Sequence, residues 1–147
     1  MDIKEHIIIS LGGSLIIPDE IDVALMIEFV STIKKYTDRG FRFVIITGGG
    51  KVCRKYQGAL TNIKETNQDD LDWLGIYSTR LNAEFIKLSF GDLAYSEIIL
   101  DPNIVPHTDK PIILGAGWKP GWSTDYDAVI IAEQLKAMKV INLSNID

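Results

Sequence analysis

Cysteine is nearly missing from this 147-residue sequence: Cys53 stands alone, so no disulfide can form within the chain. That fits a reducing compartment, and a cytoplasmic protein is expected. Histidine is almost as scarce, with only His6 and His107, and no Cys/His spacing suggests a metal site. No apolar run approaches the roughly 18 residues of a membrane span. The short run Ile7–Ile9 follows Asp2, Lys4, Glu5 and His6 without a basic leader, so it reads as a strand and not as a signal peptide. There is no basic excess either. The formal charge of −5 argues against a nucleic-acid partner, which needs a cationic footprint, but leaves room for a small phosphate ligand. Internal repeats and low-complexity tracts are absent from the sequence.

What is present is ordinary for one globular domain over residues 1–147, with 46% hydrophobic and 24% charged residues. His6–Leu11 and Phe41–Ile46 read as buried parallel strands, each running into glycines. Val23, Met26, Ile27, Val30 and Ile33 recur at helical spacing, which places a helix from Asp22 to about Tyr36. A short helix is expected from Lys51, a polar loop over Thr61–Asp70, and a long helix over Leu71–Ser89 with Leu74, Tyr77, Leu81 and Phe85 along one face. Strands follow at Ser96–Leu100, Ile112–Leu114 and Val140–Leu143, with a helix over Asp125–Ala137. Alternating strands and helices imply an α/β fold with a mostly parallel sheet. Ligands in such folds sit beyond the carboxyl ends of the strands. Gly12-Gly13-Ser14, Gly48-Gly49-Gly50 and Gly115–Thr124 each follow a strand and belong on that edge.

The run Thr47-Gly48-Gly49-Gly50-Lys51 admits two readings, a tight strand-to-helix turn or an anion cradle. The second draws on close backbone approach, the helix N-terminus and the cations Lys51, Arg54 and Lys55. It is not a Walker A loop, because the spacing G-x-x-x-x-G-K-[ST] is lacking. Gly12-Gly13-Ser14 has no helix start immediately behind it and reads as a plain turn. Gly115-Ala116-Gly117 fails as a dinucleotide fingerprint, since Pro120 stands where the third glycine belongs. Thr124 reads as an N-cap with Asp127 at N3, which explains Ser123–Asp127 by capping; the other reading sets a hydroxyl and a helix N-terminus against a phosphate. Asp69, Asp70 and Asp72 suit the dipole of the helix they open. Trp118 and Trp122 flank Lys119-Pro120-Gly121, lining either a pocket or a partner surface.

Taken together, ISLGGSLI, ITGGGKVCRKY, DWLGIYSTRLNA, PGWSTDYDAVIIAEQLKA and VINLSNID resemble, in order and spacing, the uridylate (UMP) kinases of the amino-acid-kinase superfamily, the archaeal type most nearly. The resemblance runs from Ile7 to Asp147. It implies a three-layer α/β/α sandwich, usually hexameric, that transfers a phosphoryl group from ATP to UMP with Mg2+, giving UDP in pyrimidine nucleotide biosynthesis. By motif, Gly49, Asp72 and the loop Trp118, Lys119, Pro120, Gly121, Trp122, Ser123 and Thr124 resemble the UMP-binding positions. Gly13, Ser14, Gly50, Arg54 and Ser144 resemble the ATP-binding positions, with Arg54 the catalytic cation.

Two departures accompany the resemblance. Many members of the superfamily carry a lysine where Ser10 stands, so one phosphate cation is lost. The family pattern also continues past S-N-I-D into the adenine-nucleotide segment. The expectation is therefore an acceptor-binding part incomplete at the C-terminus, inactive by itself. Two other functions fit the same residues: a non-catalytic nucleotide-binding half-domain, or a sister kinase for another small substrate. The segments PGWSTD and D-x-x-G-I argue against the sister kinase.

Overall fold

A computed structural model describes residues 5–137 and 139–145. The elements run β1 (His6–Leu11), α1 (Gly13–Ile16), α2 (Val23–Asp38), β2 (Arg42–Thr47), α3 (Gly50–Ile63), α4 (Gln68–Phe90), a 3-10 turn at Gly91–Leu93, β3 (Ile112–Gly115), α5 (Thr124–Leu135) and β4 (Lys139–Leu143). The sheet order is β3-β2-β1-β4 and every pairing is parallel. In register, Ile8 lies between Val44 and Val140, and Val44 pairs onward with Ile113.

Strand alternation sorts the core into two faces. Ile7, Ile9, Leu11, Phe43, Ile45, Ile112 and Leu114 pack against Ile16, Met26, Ile33, Ala83, Ile86 and Phe90 from α1, α2 and α4. Ile8, Val44, Ile46 and Ile113 pack on the opposite face against Ala128, Ile131 and Ala132 of α5. Helices thus cover both sides of a parallel sheet, as the continuous apolar strands require. On the α5 side, Ser10 donates its hydroxyl to Asp125 at 2.7 Å, so the residue at the lysine position holds the carboxylate that opens α5.

Several elements differ from the sequence reading. α3 is not short but runs on to Ile63, and the connection to α4 shrinks to 64–67. Asn67 caps α4 by accepting from the Asp70 amide at 2.8 Å, which starts that helix inside the stretch expected to be loop. Ser96–Leu100 forms no strand; Ile99 makes an isolated bridge with Gly115, and a second isolated bridge, Ala94 with Ile112, lies just before the segment. A helical turn, α1, does begin directly at Gly13, against expectation. The N-cap of α5 is Ser123 and not Thr124, with the Ser123 hydroxyl accepting from the Tyr126 amide at 3.1 Å.

The face of α4 is the most instructive difference. Tyr77 and Leu81 are exposed, while Ile76, Ser78, Thr79, Asn82, Ala83, Ile86 and Phe90 are buried. The buried stripe contains polar side chains, so hydrophobic periodicity alone selected the wrong one. Those side chains build the site described next.

Candidate active site

The carboxyl ends of β1, β2 and β3 bring three glycine-bearing segments to one edge of the sheet. Two of them touch backbone to backbone. The Gly48 amide donates to Leu11 O at 2.9 Å, and an ideal Cβ on Gly13 would lie 2.1 Å from Gly50 N. Gly50 itself has φ +69°, which favours glycine. No side chain caps α3, so its first-turn amides remain available beside the turn.

α4 holds two of these segments through its buried polar stripe. Asn82 donates from Nδ2 to Gly48 O at 2.8 Å and to Gly49 O at 3.2 Å. Thr79 accepts from the Gly117 amide at 2.8 Å, donates to Ile76 O at 2.6 Å, and offers its own carbonyl to Thr47 Oγ1 at 2.8 Å. Arg80 reaches Gly117 O at 3.4 Å and Trp118 O at 3.2 Å. One turn before the stripe begins, Asp72 accepts from the Gly121 amide at 3.0 Å and from Gln68 Nε2 at 2.7 Å. Both carboxylate oxygens are oriented by these donors, and each keeps acceptor capacity for a further hydroxyl.

Between turn, helix and loop lies a cavity of about 470 Å³. Gly49, Gly50, Arg54 and Asp72 line it from one side of the sequence; Lys119, Gly121, Trp122, Ser123 and Thr124 line it from the other. Gly13, Ser14, Trp118, Pro120 and Ser144 do not line it. Gly13 supports the glycine turn from behind, and Ser144 sits next to Gly12, whose amide donates to Leu143 O at 2.8 Å. Trp118 packs its ring on Trp122, with centroids 4.9 Å apart, and Trp122 continues to Tyr126 at 5.1 Å. The ammonium of Lys119 lies 4.1 Å from the Trp118 ring centroid and 5.3 Å from that of Trp122.

The electrostatics favour an anion. Arg54 is exposed at the cavity. Lys51, a second cation of the turn, is engaged in an ion pair with Asp19. Cys53 also lines the cavity, but burial pushes its thiol pKa up; Arg54 and a hydrogen bond with Ser78 only partly oppose this. A thiol held protonated is a poor nucleophile, so the wall offers little for covalent catalysis. Among the described residues no group of three His, Cys, Asp or Glu side chains could hold a metal ion, and no helix is long and apolar enough to cross a membrane.

Thr79, Arg80, Asn82 and Cys53 received no role from sequence reasoning, although all sit inside the quoted motifs. The available signal was polar residues at positions 79 and 82 on a helix whose next turns, at Ala83 and Ile86, are apolar and buried.

Comparison with known proteins followed the same residues. The model of the Amino acid kinase family matches residues 5–147. The chain is 32% identical over 145 residues to the uridylate kinase of Thermococcus onnurineus (strain NA1), covering 97% of the chain and 63% of that relative. It is 33% identical over 150 residues to the uridylate kinase of Thermoplasma acidophilum, covering 98% and 62%. The crystal structure of uridylate kinase from Archaeoglobus fulgidus superimposes with a TM-score of 0.78 at 27% identity, over 98% of the chain and 65% of that structure. UMP kinase from Ureaplasma parvum, at 17% identity and a TM-score of 0.75, shares the fold. The chain therefore spans somewhat under two thirds of the length of the two uridylate kinase relatives and of the Archaeoglobus structure.

Proposed function

The chain belongs to the amino acid kinase family, and on that premise we propose that the protein is a UMP kinase and that the cavity under the 117–124 loop binds UMP. The observation that carries the reading is that Asp72 and Arg54 both line one cavity, beside an uncapped helix N-terminus. An oriented carboxylate suits ribose hydroxyls, and a guanidinium with free amides suits phosphate oxygens.

In this reading ATP is the donor and UDP the product, in pyrimidine nucleotide biosynthesis in the cytoplasm. A homo-oligomer of the hexameric kind is part of the proposal. Mg2+ would arrive on the donor phosphates and would neutralise their charge. The protein's own work is positioning. Gly49 holds the acceptor phosphate; Gly50 and Arg54, with Gly13, Ser14 and Ser144, meet the donor phosphates, and Arg54 bears on the group in transfer. Asp72 and residues 118–124 fix the nucleoside. Phosphoryl transfer asks little covalent chemistry of side chains, which fits a wall whose one thiol stays protonated.

Asp72→Asn tests the acceptor assignment. It should weaken UMP binding by about 1.5–3 kcal/mol while changing ATP binding less, because a charged hydrogen-bond acceptor is lost. Isothermal titration reads both, and an unchanged UMP affinity would remove Asp72 from the site. Arg54→Ala should lower turnover at saturating UMP more than it weakens UMP binding. A raised Michaelis constant for UMP with intact turnover would instead make Arg54 a ground-state ligand.

A further inference from the structure

Half-buried Arg80 is held at several points. Its Nε and Nη2 each donate to Gly117 O at 3.4 Å, and Nη2 also donates to Trp118 O at 3.2 Å. Its guanidinium carbon lies 5.2 Å from the Tyr77 ring centroid and 6.0 Å from that of Trp73. Among the described residues it forms no ion pair. Each hydrogen bond is long. Their value comes from convergence, since one planar fork grips two successive carbonyls and its charge is balanced by carbonyl dipoles and aromatic faces.

Those two carbonyls are where the loop begins. Thr79 holds the Gly117 amide, Arg80 holds the Gly117 and Trp118 carbonyls, and Asp72 holds the Gly121 amide. The Trp118 backbone sets its ring, which packs on Trp122, and Lys119 lies over both rings. Lys119 and Trp122 face the cavity, whereas Arg80 does not line it. A mechanical path thus runs from α4 to the cavity wall through a residue that does not itself line the cavity.

We propose that Arg80 is a positioning residue: it latches 117–124 onto α4 and so presents Lys119 and Trp122 to the anionic acceptor. The latch rests on the UMP reading for the identity of that acceptor, but its mechanical part can be tested without any ligand.

Amide hydrogen exchange and UMP titration on Arg80→Met, with Arg80→Lys as companion, test it. In Arg80→Met the Gly117 and Gly121 amides should exchange at least about tenfold faster, while Ile45 and Ile113 in the sheet keep their rates. UMP affinity should fall by about tenfold or more, as expected when a charged hydrogen-bond donor is lost. Arg80→Lys keeps the charge but not the fork, and should resemble Arg80→Met more than the wild type. It carries the same test should Arg80→Met fail to fold. Wild-type exchange at Gly117 and Gly121 in the folded variant overturns the proposal, as does equal acceleration of loop and sheet, which would mark a general structural role. A wild-type chain that bound no UMP would strike down the UMP assignment alone, leaving the exchange rates to judge the latch.

Discussion

Replacing Gly13 with alanine should be the most damaging single-methyl change in the molecule. The new Cβ would fall 2.1 Å from Gly50 N, 2.6 Å from Gly49 C and 2.7 Å from Gly48 C. All three are backbone atoms, so no side chain can rotate aside. Gly50 cannot retreat freely, since it is held at φ +69° with Gly13 O already close. The carboxyl ends of β1 and β2 would have to separate, breaking the Gly48 amide to Leu11 carbonyl bond of 2.9 Å. A loss of about 3 kcal/mol or more is expected, at the severe end for overpacking because the clash is with main chain. Urea unfolding measures it. Gly58→Ala is the control: it lies within α3, a Cβ there meets nothing within 4 Å, and it should gain up to about 1 kcal/mol from helix propensity. Equal midpoints for Gly13→Ala and the wild type would show that the two turns do not abut as described.

The second large effect should come from Asp127, and it should depend on pH. Its side chain is 1% exposed and neither carboxylate oxygen has a hydrogen-bond partner among the described residues. Burial, with a smaller contribution from the Asp101 charge, raises its pKa from 3.8 to about 6. A folded-state pKa above the unfolded value means the folded protein holds a proton that the unfolded chain releases. This contribution to stability is fully present below the unfolded pKa, falls as pH rises from there, and is gone above about 6. The wild type should therefore lose up to about 3 kcal/mol across that window from this group. Asp127→Asn cannot ionise. Relative to the wild type it should gain stability from about pH 4 to about pH 6 and level off above that, and thermal unfolding of both proteins from about pH 4 to about pH 7 isolates the effect from all other carboxylates. A constant difference between them would show that Asp127 titrates normally. Near neutral pH the buried charge is a cost that the fold carries.

Much of the architecture was legible because its signals are local. Continuous apolar runs such as Ile7–Ile9 and Phe43–Ile46, short and ending at glycines, read as strands buried on both faces, and they became the central pair of the sheet. Each runs into glycines, and chain connectivity alone then carries those turns to one edge. Ser96–Leu100 was misread for the same local reason. Its apolar residues follow strand-like preferences, but of them only Ile99 finds a bridging partner along β3.

The sequence by itself therefore determined the parallel α/β plan, the family motifs and the edge of the sheet where a ligand belongs. Apolar runs and glycine positions are properties of neighbouring residues, and they hold whatever the rest of the chain does. Only the tertiary structure decided which side of α4 faces inward and what its polar residues do there. Thr79 and Asn82 are buried because distant main-chain groups, at Gly117 and at Gly48 and Gly49, satisfy them. A helix pattern weighs residues by hydropathy and cannot know that such partners will arrive from elsewhere in the chain. For the same reason Asp127 passed as a capping residue in sequence: desolvation is set by what packs over a side chain, and that is known only once α5 lies on the sheet.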